Sequence, residues 1–149
     1  MNIINKKILK ELMLNARVTW KEIARKVKLS DPAVSERVSK LEEKKIIKGY
    51  SAIVDRKSIG LEMTAFITLS ISLNSEREAF LNHISKLPEV LECHHIAGED
   101  DYILKVCCRD TADLDRIISK ELRQLPGVDN TKTRIVLNSH KETTFLPID

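Results

Sequence analysis

Between residues 19 and 45 the chain reads TWKEIARKVKLSDPAVSERVSKLEEKK. Thr19 followed three residues on by Glu22 is a capping box, in which each side chain accepts a backbone N–H that a helix start would leave bare. The helix it opens carries Ile23, Ala24 and Val27 on one side. After the turn Lys28-Leu29, Ser30 is placed to cap a second helix, whose Val34, Val38 and Leu41 recur at the helical period and face the same small core. Its outer face presents Pro32, Ser35, Glu36, Ser39 and Lys40, with Arg37 near the edge. That mixture does little for packing but suits base edges and flanking phosphates. The spacing predicts a helix-turn-helix over about 19–44 whose second helix enters a groove of duplex DNA.

Charge points the same way. Residues 1–50 hold thirteen Lys and Arg against six Asp and Glu, a net +7, whereas residues 51–149 hold twelve against sixteen, a net −4. A cationic module displaces condensed counterions from nucleic acid and so binds with strong salt dependence, while the acidic remainder is repelled. Within the motif, Ser35, Glu36 and Ser39 suit base edges, and Arg37 and Lys40 suit guanine or phosphate. Arg17, Lys21 and Lys44 are phosphate candidates at its margins, with Ser30 and Pro32 at the start of the reading helix. Arg37 has a competing assignment, an ion pair with a glutamate of its own domain.

A chain of 149 residues with 42% hydrophobic content can fill one ordinary core or two small ones, and the charge asymmetry favours two. No run approaches the length of a membrane span, and the start MNIINKK lacks the pattern of a signal peptide, so a cytoplasmic protein with no membrane partner is expected. Cys93, Cys107 and Cys108 are an odd set for a disulfide framework and are expected as buried thiols.

Ile4, Ile8 and Leu12 mark a first helix that braces the motif and ends near Asn15. Residues 46–60 turn β-branched and aromatic between Gly49 and Gly60, which predicts an ordered, strand-bearing hinge. From Met63 the period becomes two: Met63, Ala65, Ile67, Leu69, Ile71 and Leu73 alternate with Thr64, Phe66, Thr68, Ser70 and Ser72. Ser75 and Glu78 form a second capping box, opening a helix with Phe80, Leu81, Ile84 and Leu87 inward. Strands Val90 to Ala97 and Tyr102 to Cys108 follow, then a helix from near Thr111 burying Leu114, Ile117, Ile118 and Leu122, and a last strand from Val128 to Leu137. Leu87-Pro88-Glu89-Val90 and Leu125-Pro126-Gly127-Val128 mark the same helix-to-strand corner 38 residues apart. Two right-handed β-α-β units interleave into a ferredoxin-like βαββαβ sheet with both helices on one face, leaving the other face for a second copy of the chain. The expected class is α+β, with a helix-turn-helix domain at 1–48, a hinge at 49–61 and a ferredoxin-like domain at 62–149.

Several segments together resemble the Lrp/AsnC transcription regulators. They are Asn15-Ala16-Arg17, Glu22-Ile23-Ala24, Leu29-Ser30, Val34, Arg37-Val38, Leu41-Glu42, Ile46-Ile47-Lys48-Gly49-Tyr50, Gly98-Glu99-Asp100-Asp101-Tyr102 and Leu125-Pro126-Gly127-Val128 with Thr131 and Thr133. The resemblance implies a winged or simple helix-turn-helix joined to an effector-binding domain that dimerises and stacks dimers into octamers or related rings. It also implies an amino acid bound between dimers near the G-x-x-D turn, and no cofactor beyond that effector. Two positions depart from the family pattern. Asn5 stands where an acidic residue is usual, and Lys28 where a glycine often lies; at positive φ Lys28 would carry about 1 kcal/mol of strain.

In that turn Gly98 lets backbone approach closely, Asp101 offers a carboxylate to an ammonium group, and Glu99 and Asp100 add negative field. Thr131 and Thr133 share a strand face and can donate hydroxyls to a carboxylate. The plain alternative is a tight hairpin with solvated acids. A metal-responsive reading fares worse, because Cys93 and His95 share one strand face while His94 points away, short of the ligands zinc needs; no metal site is expected. No phosphate loop, nucleophile elbow or acid/base pair suggests an enzyme. The reading is therefore a sequence-specific regulator that binds double-stranded DNA and responds to an amino acid, with a DNA-wrapping architectural protein as the alternative.

Overall fold

A computed structural model of the chain describes residues 1–72 and 76–149. It forms two compact units, one of Met1–Ile53 with Lys141–Asp149 and one of Val54–His140. By its contacts the tail 141–149 groups with the helical unit. Its Leu146 N–H donates to Met13 Sδ at 3.5 Å.

In the first unit, α1 (Ile3–Leu14) is capped by Asn2, whose Oδ1 accepts from the Asn5 N–H at 2.8 Å. The capping box of α2 (Trp20–Val27) is formed at both ends: Glu22 Oε2 accepts from the Thr19 N–H at 2.8 Å, and the Glu22 N–H donates to Thr19 Oγ1 at 3.3 Å. Ser30 caps α3 (Asp31–Glu43), and Pro32 sits in its first turn, where no backbone donor is lost. Ile8, Ile23, Ala24, Val27, Val34 and Val38 close the small core, as the spacing predicts. Between α2 and α3, Lys28 takes the left-handed conformation at φ 57°.

The hinge departs from expectation. No strand forms over 49–61; a 3₁₀ turn at Lys57–Ile59 is closed by Gly60 at φ 80° and steadied by Asp55, which accepts the Ser58 N–H at 2.9 Å. Ile53 and Val54 are exposed. A β-branched run becomes a strand only against an edge, and these residues meet none in the single chain.

The second unit is a four-stranded sheet in the order β2-β3-β1-β4, with every neighbouring pair antiparallel. Strand β1 (Met63–Ile71) connects through α4 (Arg77–Ile84) to β2 (Val90–His95). Strand β3 (Tyr102–Cys108) connects through α5 (Thr111–Arg116) and a π-helical continuation, Ile117–Leu122, to β4 (Val128–Ile135). Each crossover skips one strand, which is the split β-α-β arrangement read from the sequence. Ala65, Ile67, Leu69, Leu104 and Val106 meet Phe80, Ile84, Leu114, Ile117 and Leu122 in the core.

Some details differ. Strand β2 ends at His95, because the Ile96 N–H turns to donate to the Asp101 carbonyl at 2.9 Å. Strand β4 ends at Ile135, and Leu137 is exposed. Leu81 is exposed as well, one position and so about 100° around the helix from Phe80, which takes the core face with Ile84. The expected positions Leu73 and Ser75, with Ser75's capping box, lie outside the described residues. Among the described residues no helix is long and apolar enough to cross a membrane.

Candidate functional site

Three buried side chains, Val34, Val38 and Leu41, fix α3 to its unit and leave the outer face free. Pro32, Glu36, Ser39 and Lys40 are exposed on that face and Ser35 is half-buried. Ser30 Oγ is engaged as the cap, accepting the Ala33 N–H at 3.4 Å. Glu36 and Lys40 form an i,i+4 pair at 2.6 Å, and the Lys40 ammonium holds the Glu36 carboxyl below the usual carboxylate range. The two therefore present a nearly neutral unit unless DNA separates them. Arg37 is half-buried and turns toward α1, its Nη1 donating to Asn5 Oδ1 at 3.0 Å. Its partner is an amide of its own domain, not a glutamate. Arg17 and Lys21 are exposed around the start of α2, and Lys44 is exposed at the end of α3.

The turn between β2 and β3 is more internally engaged than the sequence suggests. Gly98 sits at φ 148° with nothing within 4 Å of where a Cβ would lie, so conformation and not crowding demands glycine there. Glu99 projects into solvent, with Lys132 Nζ at 3.8 Å. Asp100 is largely covered and meets Lys132 Nζ at 3.3 Å. The Thr68 hydroxyl first, then Lys132, holds its carboxyl below the usual range. The Thr68 contact is a loose one, since Thr68 Oγ1 is buried and makes no well-formed hydrogen bond. Asp101 serves the sheet: its Oδ2 accepts the Ile71 N–H at 2.7 Å and its own N–H donates to the Leu69 carbonyl at 3.0 Å. The carboxylate assigned to an ammonium ligand thus already holds the end of β1.

The two threonines stand apart from this acidic group. Thr133 pairs with Ile67, and so lies on the helix-covered side, whereas Lys132 pairs with Thr68 on the opposite side with Asp100. Thr131 accepts from Arg123 Nε at 3.1 Å. Thr68 and Lys132 are the members the sequence reading missed. Nothing local marks them, because the register of β4 on β1 brings them together across the sheet.

The cysteine-histidine cluster is dispersed. His94 meets Glu92 at 3.1 Å, and His95 stacks on Tyr102 with ring centroids 5.0 Å apart. Cys107 and Cys108 are buried, and burial pushes the Cys108 thiol up to about 11. Among the described residues no three His, Cys, Asp or Glu side chains are grouped to hold a metal ion.

This architecture matches known proteins along its whole length. Residues 64–146 match the Lrp/AsnC ligand-binding domain, and residues 1–48 match a winged helix-turn-helix DNA-binding domain. The chain belongs to the Lrp/AsnC family. Like its relatives, it is a DNA-binding transcriptional regulator with an effector-binding domain, and not an enzyme. It is 34% identical to the HTH-type transcriptional regulator FL11 of Pyrococcus horikoshii, over 97% of this chain and 95% of that protein. It is 36% identical to the transcriptional regulator AzlB of Bacillus subtilis, over 97% and 94%. Among solved structures, a Neisseria meningitidis transcriptional regulator in complex with L-Met superimposes with a TM-score of 0.94 at 33% identity, covering 99% of this chain and 96% of that one.

Proposed function

We propose that this Lrp/AsnC regulator reads duplex DNA with the outer face of α3 and responds to an amino acid held near the β2–β3 turn of the sheet unit. The observation that carries the reading is the division of labour along α3. Val34, Val38 and Leu41 are buried while Ser35, Ser39, Glu36 and Lys40 are not used by the core. A capped, anchored helix with an unspent polar face is what groove entry needs. Ser35 and Ser39 read base edges, because Glu36 and Lys40 satisfy each other. Arg17, Lys21, Arg37 and Lys44 meet phosphates.

The L-Met bound by the Neisseria relative makes small amino acids the effector class to test. Glu99, exposed at the turn, is the acid best placed to meet the ligand's ammonium, since Asp100 and Asp101 are occupied. The protein works in the cytoplasm as an assembly of dimers, and the ligand favours one arrangement of them over another.

Binding isotherms on one promoter-derived duplex and one random duplex test the DNA half. Lys21→Ala is expected to weaken both about equally, and Ser35→Ala to narrow the gap between them; equal losses for both variants on both duplexes would contradict the assignment. Calorimetry with individual amino acids, L-Met included, tests the other half. A wild-type chain that takes up none of them leaves no role for the turn as an effector site.

A further inference from the structure

The start of α1 and the length of α3 enclose an open cleft of about 470 Å³, lined among others by Asn5, Arg37, Lys40 and Lys44. The three basic residues lie at i, i+3 and i+7 and so fall along one face of α3. Lys40 is partly offset by Glu36 at 2.6 Å. Arg37 has no ion-pair partner of its own, although the Glu36 carboxylate next to it in sequence, engaged by Lys40, lies within its field. Its guanidinium is held by the Asn5 side chain at 3.0 Å, thirty-two residues away in sequence, and among the described residues no carboxylate forms an ion pair with it.

The chemistry of that partner matters. An amide oxygen accepts a hydrogen bond and fixes the direction of a guanidinium, but it carries no charge, so all of the arginine's unit charge remains for a further ligand. A carboxylate at the same place would hold Arg37 more tightly and cancel its charge. Asn5 is anchored by its backbone at the helix start. It sits in the first turn of α1, and its backbone N–H is tied to Asn2 Oδ1 at 2.8 Å.

We propose that Asn5 is a positioning residue for DNA binding: it orients Arg37 in the cleft between α1 and α3 while leaving its full charge to a backbone phosphate. The inference rests on the reading that Arg37 meets a phosphate. A phosphate seated there gains a preorganised guanidinium, and binding releases about one counterion more than it would with a neutralised arginine.

The test follows binding of the full chain to a labelled random-sequence duplex by fluorescence anisotropy, from about 50 mM to about 200 mM salt. Four variants are compared with wild type: Asn5→Asp, Asn5→Ala, Arg37→Gln and the double variant Asn5→Asp/Arg37→Gln. Thermal unfolding confirms that each is folded. Asn5→Asp is expected to weaken binding at low salt by about tenfold and to reduce the slope of log Kobs against log salt by about 0.9, close to the change given by Arg37→Gln. Asn5→Ala keeps the charge but frees the arginine, so the slope stays at the wild-type value while affinity falls a few-fold. In the Arg37→Gln background, Asn5→Asp is expected to lower the slope little further. An Asn5→Asp slope equal to wild type, with Arg37→Gln still lowered, overturns the role of Asn5 alone. A drop from Asn5→Asp that is as large without Arg37 as with it also overturns that role, since it is then a general effect of added negative charge. A wild-type slope in Arg37→Gln removes the phosphate contact itself, and both readings fall.

Discussion

Lys28 holds φ at 57° between α2 and α3, and among the described residues its side chain makes no hydrogen bond or ion pair. A left-handed L-residue costs about 1–2 kcal/mol, part of which glycine gives back through the entropy of its unfolded chain. Lys28→Gly is therefore expected to stabilise the helical unit by about 0.5–1 kcal/mol, visible as a raised midpoint in urea with an unchanged slope. Asp101 argues in the opposite direction. Its carboxylate accepts the Ile71 N–H at 2.7 Å, so Asp101→Ala leaves a backbone donor at the end of β1 without its partner. The expected cost is about 1–3 kcal/mol of stability in ligand-free protein, measured by denaturant unfolding. A variant that kept wild-type stability would return Asp101 to the pool of free ligand groups. The sequence marked Asp101 as interesting and mistook its task. An acid in a turn looks the same whether it faces solvent, a ligand or a strand thirty residues earlier, and only the hairpin's placement beside β1 decides. Lys28 was legible only through the resemblance, because related chains often carry at that turn a glycine, which takes positive φ at no steric cost.

The elements were legible wherever their signals are local. Thr19 and Glu22, and Ser30 with Val34, Val38 and Leu41, are spaced by three and four residues and form as the spacing predicts. The alternation along β1 and the paired Leu-Pro corners gave strand identity, and interleaving two β-α-β units gave the split arrangement that the strand order shows. What failed depended on partners that spacing does not reveal. The hinge lacked an edge to pair with, Leu81 lost the core face to Phe80, and the helix after Thr111 widened into a π segment at Ile117–Leu122. The start of α5 carries its own testable consequence. Asp110 caps it by accepting the Asp113 N–H at 2.8 Å, and the buried Asp113 accepts in turn from the Arg109 backbone at 3.3 Å and from Arg116 Nε at 3.0 Å. The Arg109 backbone N–H first, then the side chains of Arg116 and Arg109, lower the Asp113 pKa. A depressed carboxylate contributes stability that is fully present above its unfolded value, near 3.9, and is lost as pH falls through the folded value. Asp113→Asn is expected to be less stable than wild type at neutral pH and to show a shallower decline below about pH 4, measured as unfolding midpoint against pH. Parallel curves for the two proteins would mean that Asp113 adds nothing through its charge.

At the scale of the whole molecule, the amino-terminal third and the remainder of the chain differ in charge. The first fifty residues carry +7 and the rest −4, so attraction to DNA comes from the amino-terminal end of the chain, and in the proposed reading the remainder supplies contacts between copies and to a ligand. A single helix-turn-helix reads only a few base pairs, and in the proposed assembly a symmetric dimer gains range by presenting two reading helices. Two α3 helices related by a two-fold axis can both enter major grooves on one side of the duplex only if their half-sites lie about one helical turn apart, or a multiple of it. Inserting about five base pairs between half-sites turns one of them to the far side of the duplex, and inserting about ten restores the facing. Affinity measured on such a spacer series is expected to fall and then recover at the full turn, while a random duplex shows no such period. An amino acid that shifts the assembly between arrangements would move the preferred spacer and leave the period itself unchanged, because the period belongs to the DNA. A flat response to spacer length in wild-type protein would mean that each unit binds alone, and coupling between the sheet and the reading helices would then have no geometric route through the dimer.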